Sequence, residues 1–426
     1  VPDGEAFSSF HPKLWLMRFI EANKSSKKTK VIYRLIVLSR NLSFDRSWDV
    51  AVTFDGLIDK EKAKQIDQNT QWNHFIKKLL DEDPEFEPAK VIKRELNHIV
   101  WQTPDNFKEV ELLVGGGDYG RPLNIAQQDL DVLMVVSPFI RSTGGGIDGL
   151  DWLASLAPNG EKYLFSRAEE LNAVGKEKLS NWQCYAINEA VVSGEERLEL
   201  NDSGNGQEQL SQNLHAKIII TQKGYKTNWH MGSANATTAA LGDVRNDKPR
   251  NTETMVRILG DTRKIGCSVL IDQWVGQKDG AGLFVKHEFQ PLEITESEDA
   301  IKALLRKTVY QLISATWQLN CLQEDKENKY TLRLTVDMGQ PINSNIDIQV
   351  QQLAIQGSRK LSEEMEWNNV ELSNISALIP VVITINKNGS LLKERLMIES
   401  IIEVEGGDIR HQHIRSFFLS VSQFYP

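Results

Sequence analysis

Two stretches of the 426-residue chain carry the same chemistry-bearing residues in the same order. The first runs His11-Pro12-Lys13, an apolar run from Leu14, then Ser39-Arg40-Asn41, then Asp49 ahead of Val50-Ala51-Val52. The second runs His215-Ala216-Lys217, an apolar run from Ile218, then Ser233-Ala234-Asn235, then Glu253 ahead of Thr254-Met255-Val256. The interval between the Lys and the Ser differs between the copies, which loops absorb at little entropic cost. Alternate residues of a strand share a face, so the His and the Lys of each H-x-K are expected to point the same way. An imidazole beside an ammonium suits an anion, and Asn adds an amide donor at short reach. The carboxylate can accept from a His ring nitrogen and fix its tautomer. Two such half-sites facing each other place two His, two Lys and two Asn around one phosphate. One His can then attack phosphorus while the other protonates the leaving oxygen, with Lys and Asn holding the remaining oxygens.

The elements that must position these residues read as follows. Strands are expected at Leu14 to Phe19, Tyr33 to Leu38 and Val50 to Phe54, with the lysine-rich stretch Glu21 to Lys30 as a loop between the first two. Helical spacing of apolar residues predicts helices over Asn69 to Leu80 and Pro88 to Val100. A boundary is expected between Gln102 and Pro122, around the Gly115 to Gly120 turn. Further strands at Leu130 to Val136, Lys162 to Phe165, Cys184 to Ile187 and Ala216 to Thr221 alternate with helices at Ile147 to Leu156 and Ala168 to Leu179, an α/β pattern. After about residue 325, alternation at Tyr330 to Met338, Ile346 to Val350 and Val381 to Ile385, with the turn signal Asn386 to Gly389, predicts a β-rich C-terminal domain. Pro341 and Pro380 are expected at strand starts.

The duplicated H-x-K…S-x-N resembles the phospholipase D superfamily. Gly232-Ser233-Ala234-Asn235 matches its G-S-x-N fully, whereas Leu38 stands in place of the first glycine. The superfamily's commonest form has an Asp five residues after the Lys; here those positions are Arg18 and Gln222. Loss of both is similar to the tyrosyl-DNA phosphodiesterase branch and related prokaryotic nucleases. The resemblance covers roughly residues 10–57 and 130–260. It implies two pseudo-symmetric α/β lobes, 1–105 and 106–300, and says nothing of residues 301–426, where the alternation above predicts the β-rich domain. The first lobe is expected to lack its N-terminal part, since the first motif begins only at His11. The resemblance also implies a phosphodiesterase needing no metal or other cofactor and working through a phosphohistidine. Carried over, His11 is the nucleophile and His215 the general acid. Lys13, Asn41, Lys217 and Asn235 hold the phosphate, Asp49 and Glu253 orient the histidines, and Ser39 and Ser233 support the turns. A nuclease of a defence or restriction system, acting on DNA ahead of RNA, is the first expectation, the defence setting resting on family analogy alone. A lipid phosphodiesterase, or an inactive DNA-binding or assembly subunit, are the alternatives.

Net charge is -9, which looks wrong for a nucleic-acid partner. Charge is unevenly spread, however: Val1 to Asp49 holds nine Lys and Arg against five Asp and Glu, and Leu214 to Arg257 holds seven against three. Positive charge thus gathers in the two segments that carry the chemistry. Cys184, Cys267 and Cys321 lie far apart without a C-x-x-C, which argues against a disulfide framework and fits a cytoplasmic protein. No apolar run is long enough to span a bilayer, and no signal-peptide pattern opens the chain. No membrane partner is expected, while the C-terminal domain is a candidate protein-binding element. Lys24 to Lys30 reads as a solvated loop, with DNA contact as the minor alternative. Gly144 to Gly146 is a plain loop ahead of a phosphate cradle, and His411-Gln412-His413 lacks a third metal ligand. Trp15, Trp48 and Trp229 read as packing ahead of base stacking.

Overall fold

A computed structural model describes residues 8–20, 31–41, 47–65, 70–83, 85–125, 129–142, 145–188, 214–276, 282–290, 296–324, 329–343, 346–353, 355–387 and 390–405. The chain is a mixed α/β protein whose contacts divide it into two units, Val1–Leu292 and Glu293–Pro426.

The first unit holds two sheets. Strands β1 (Leu14–Ile20), β2 (Val31–Leu38), β3 (Ala51–Ile58) and β4 (Ile99–Trp101) form an antiparallel sheet in that order. On β2 the alternation is direct: Tyr33, Leu35 and Val37 are buried, while Arg34 faces out and pairs with Asp55. Helix Thr70–Asp81 supplies Trp72, Phe75 and Ile76 to the same core at helical spacing.

The other sheet has eight strands: β5 (Phe107–Gly115), β6 (Val132–Val136), β7 (Glu161–Ser166), β8 (Gln183–Ile187), β9 (Ile218–Lys223), β10 (Lys226–Gly232), β11 (Glu253–Asp261) and β12 (Phe284–Lys286). Their order is β12-β8-β7-β6-β9-β10-β11-β5. The β6, β7 and β8 ladders are parallel and the rest antiparallel. Central strands are apolar on both faces, as expected where both are covered. Met134, Val136, Ile218 and Ile220 pack into the core shared with the four-stranded sheet, and Leu133, Val135 and Ile219 into a core on the other side. Residues on either side of position 105 therefore share one core.

Three local expectations need correction. The helix predicted over Pro88 to Val100 is α-helical only at Ala89–Glu95 and closes with a short 3₁₀ turn. Ile99 and Val100, both β-branched, instead join Trp101 in pairing with β3. The helix predicted over Ala168 to Leu179 stops at Val174, because Gly175 adopts φ +87°, a C-terminal cap. The stretch Gln102 to Pro122 contains β5, whose Val110, Leu112 and Val114 are buried against β11.

The second unit opens with helix Glu296–Ser314. It then forms β13 (Thr316–Gln323), β14 (Lys329–Asp337), β15 (Ile346–Val350), β16 (Arg359–Lys360), β17 (Glu364–Glu371), β18 (Leu378–Lys387), β19 (Ser390–Glu399) and β20 (Ile401–Val404). They make two four-stranded sheets, β17-β14-β13-β20 and β16-β15-β18-β19. Tyr330, Leu332, Leu334 and Val336 of β14 share one core with Ile379, Val381, Ile383 and Ile385 of β18. Pro380 is the third residue of β18 rather than its start, and Pro341 lies outside the strands.

Candidate functional site

Both H-x-K segments sit just ahead of their strands rather than within them: His11 to Lys13 precede β1, and His215 to Lys217 precede β9. Each is held in place by backbone from the other copy. His11 N donates to Thr252 O (2.9 Å), and Phe10 bridges Thr252 in parallel. His215 N donates to Trp48 O (2.8 Å), and Leu214 bridges Trp48 in parallel. Thr252 and Trp48 are the residues immediately before Glu253 and Asp49. The exchange is therefore reciprocal, and it brings segments about two hundred residues apart into one site.

The turns are also built alike. Ser39 N donates to Val50 O (2.9 Å), and Ser39 Oγ accepts from Val50 N (3.0 Å). Ser233 N donates to Thr254 O (2.9 Å), and Ser233 Oγ accepts from Thr254 N (3.0 Å). Both serines are buried. The glycine present in only one copy has a steric reason. A Cβ on Gly232 would lie 2.2 Å from Thr254 O and 2.9 Å from the Met255 sulfur. Leu38, its counterpart, lies opposite the small Ala51, where a side chain fits.

Each lysine ammonium donates to the carbonyl of its own histidine, Lys13 to His11 O (2.9 Å) and Lys217 to His215 O (2.8 Å). Lys217 also donates across the copies to Ser39 O (3.0 Å). Lys217 is buried, which together with Lys13 lowers its pKa to about 7, against the pull of Glu253. Burial likewise lowers that of Lys13, opposed by Glu253. Two desolvated ammonium groups near each other make an arrangement in which an anion would relieve the repulsion.

The carboxylates differ. Glu253 is fully buried and accepts from His11 Nδ1 (3.0 Å) and Asn251 Nδ2 (3.3 Å) on one oxygen and from Ser233 Oγ on the other. It thus orients the histidine of the other copy: Nδ1 is the ring nitrogen that faces the carboxylate, which leaves Nε2 as the one on the far side of the ring. The His11 side chain remains 39 % exposed. Asp49 is expected to do the same for His215 but instead pairs with Arg40 (Nε to Oδ2, 2.9 Å). His215 Nε2 accepts from the Arg167 guanidinium (3.1 Å). Burial, then Arg167, Lys217 and Arg40, push the His215 pKa down to about 4, with Asp49 opposing. In the free protein at neutral pH His215 is therefore uncharged, so the general-acid role first requires it to take up a proton.

Asn41 is exposed and Asn235 half-buried, its Oδ1 enclosed without a hydrogen-bond partner. The positions where an Asp is commonest do other work: Arg18 forms a bidentate pair with Glu95, and Gln222 Oε1 accepts from Cys267 N (3.3 Å). Trp48 packs edge-on to Trp274 and Phe284, and Trp229 donates to Ile265 O, so both are structural; Trp15 is exposed. The Lys24 to Lys30 cluster, Gly144 and His411 to His413 lie outside the described residues. Among the described residues no three His, Cys, Asp or Glu side chains gather as a metal site would need.

Sequence reasoning missed Arg40, Asn251 and Arg167. The first two were within reach, since Arg40 lies inside Ser39-Arg40-Asn41 and Asn251 is two residues before Glu253. Arg167 follows β7, outside both copies, and no pattern in the chain ties it to a histidine. No protein-family model matches the chain, and no curated protein does either.

Proposed function

We propose that the protein is a phosphodiesterase of phospholipase D-like, two-lobed design that hydrolyses nucleic-acid phosphodiester bonds through a phosphohistidine, without a metal ion. The observation that carries this reading is the reciprocal assembly of the two H-x-K segments, with the second copy's Glu253 on the first copy's His11 and the second copy's Lys217 on the first copy's Ser39.

In this mechanism His11 Nε2 attacks phosphorus, its Nδ1–H held by Glu253. The bond from phosphorus to the leaving oxygen breaks, and that oxygen takes a proton from His215 Nε2. Water then attacks phosphorus, giving its proton to His215, and the bond to His11 Nε2 breaks. Lys13 and Lys217 counter the charge on the non-bridging oxygens, and Asn41 and Asn235 complete the set of donors. The asymmetry of the carboxylates supports the assignment: the pinned imidazole suits in-line attack, and the unpinned one suits a proton that comes and goes. A bound phosphate, by offsetting Arg167, Lys217 and Arg40, raises the His215 pKa toward the range in which it can serve as acid. Basic residues concentrated in the two site segments favour a polyanionic substrate. A part in defence rests on family analogy.

The test is cleavage of end-labelled single- and double-stranded DNA and RNA in EDTA, by the protein and by His215→Ala. Cutting that is lost in the variant supports the reading. Cutting that needs magnesium, or that survives in His215→Ala, overturns it. Cleavage of choline phospholipid and of no nucleic acid moves the substrate to lipid, and salt-sensitive DNA binding without turnover makes the protein a binding subunit.

A further inference from the structure

Arg167 comes from neither copy of the motif, yet among the described residues its contact with a site imidazole is second in closeness only to that of Glu253. It sits between β7 and helix Ala168–Val174, at that helix's N-cap, with extended backbone. Its Nε and Nη2 donate to Leu214 O (3.0 Å each), and Nη2 reaches His215 Nε2 at 3.1 Å. Its guanidinium lies over the Phe139 ring, 4.6 Å from the centroid, and Phe139 is exposed. Nε2 is the ring nitrogen to which the mechanism proposed above gives the transferred proton, and the backbone that carries the ring is held by Trp48 and Lys217.

We propose that Arg167 is a positioning residue that gates the acid: in the free site it donates to His215 Nε2 and keeps that nitrogen unprotonated, and a phosphate oxygen entering the site takes the guanidinium hydrogen bond and frees Nε2 to be protonated. This deepens the function proposed above and rests on it. The groups facing His215 are Arg167 from the β7 end, Lys217 on its own segment, Arg40 after β2 and Asp49 before β3. Three of the four are cations, so an anion among them offsets the charges that keep His215 unprotonated. Phe139 supports the flat face of the guanidinium and Leu214 O holds Nε and Nη2, so the group stays anchored while the hydrogen bond to His215 passes to a phosphate oxygen in its plane. The proton that His215 gains comes from solvent on binding and passes to the leaving oxygen on cleavage. The device keeps a competent acid out of the empty site.

The experiment is a histidine titration by NMR on the full chain with isotope-labelled histidine. The His215 signal is assigned by its loss in His215→Asn, and inorganic phosphate is the probe. In the free protein His215 is expected to stay neutral to about pH 4. Saturating phosphate is expected to raise its midpoint by about one to two pH units, and Arg167→Gln to raise it by about one pH unit without phosphate. In Arg167→Gln the further rise with phosphate shrinks, whereas Arg167→Lys, which keeps the charge but loses the fork, falls between. A His215 midpoint unmoved by phosphate in the unmodified protein overturns the gate, and that measurement needs no variant to fold. An unmoved midpoint in a folded Arg167→Gln overturns it as well. Failure of the function reads differently. If no nucleic acid is cut but the midpoint still moves, the gate stands in a phosphate site with another substrate. If nucleic acid is cut and the midpoint does not move, the gate alone fails.

Discussion

Replacing Lys217 by Met should make stability depend on pH in a way that reports the buried charge. Lys217 is 5 % exposed, and its amine ionises at about 7 in the fold, against 10.5 when free. Between those values the unfolded chain binds a proton that the folded chain does not, so wild-type stability rises with pH across that window. At about 1.4 kcal/mol for each pH unit below 10.5, the charge costs the fold about 4 kcal/mol at pH 7.5 and about 1 kcal/mol at pH 9.5. Met never pays this cost, while the bonds it forfeits to Ser39 O and His215 O burden it about equally at both pH values. The wild type should therefore gain about 2 to 3 kcal/mol on the variant between pH 7.5 and 9.5, above the range where histidine titrates. The assay is urea unfolding of both proteins at each pH, compared at equal m-value. Phosphate should stabilise the wild type at pH 7.5 and not the variant. A stability difference that does not change with pH would mean Lys217 ionises as an ordinary surface lysine, and the desolvated anion site would be refuted.

Other expectations follow from the same geometry. Glu253→Gln should lower kcat by about 10²–10⁴-fold, in the range of general acid–base effects, because the amide no longer fixes Nδ1–H on His11; steady-state kinetics showing an unchanged kcat would remove Glu253 from the mechanism. Gly232→Ala should destabilise by about 1–3 kcal/mol, since its Cβ meets Thr254 O at 2.2 Å, whereas Leu38→Gly should leave the site's geometry intact. Thermal unfolding that is the same for Gly232→Ala and wild type contradicts this. His230 is fully buried between Ile219 O and Asn124 O, with a pKa lowered to about 4 by burial. An unfolded histidine protonates first as pH falls, so His230 should account for about 3 kcal/mol of the stability lost between pH 6.5 and 4, beside the share of His215, and His230→Asn should make that part of the curve shallower by about that much. A drop of the same size in both proteins would place the acid sensitivity elsewhere.

Which parts are legible in the sequence has a physical logic. The site residues stand out because the same residue types recur in the same order, and each recurrence constrains a local geometry: serine for the turn, a carboxylate at or just ahead of the start of a strand. What spacing does not show is exchange between the copies. Nothing near His11 in the chain says that its partner is Glu253 rather than Asp49, because the pairing is set by which strand ends meet across the core. Arg40 taking Asp49 is equally invisible, since it depends on two side chains reaching each other at the site. The strands of the C-terminal unit are readable because Tyr330 to Val336 alternate strictly. β5 is hidden because Lys108, Glu109 and Glu111 mask an alternation that only its pairing with β11 makes plain. Ile99 and Val100 continue a helical pattern numerically, but β-branched side chains beside an open strand edge favour the sheet.

The central claim is a covalent bond to His11, and it can be captured directly. A nucleotide aryl phosphodiester has a leaving group good enough to depart without an acid. In His215→Ala the first step should then proceed, while hydrolysis of the intermediate, deprived of its base, should stall. Rapid quenching at alkaline pH, followed by peptide mass spectrometry in the presence of EDTA, should find a nucleotidyl adduct on His11, and His11→Ala should abolish both the adduct and the release of aryl alcohol. Release that continues in His11→Ala, or an adduct on a different residue, would contradict the account.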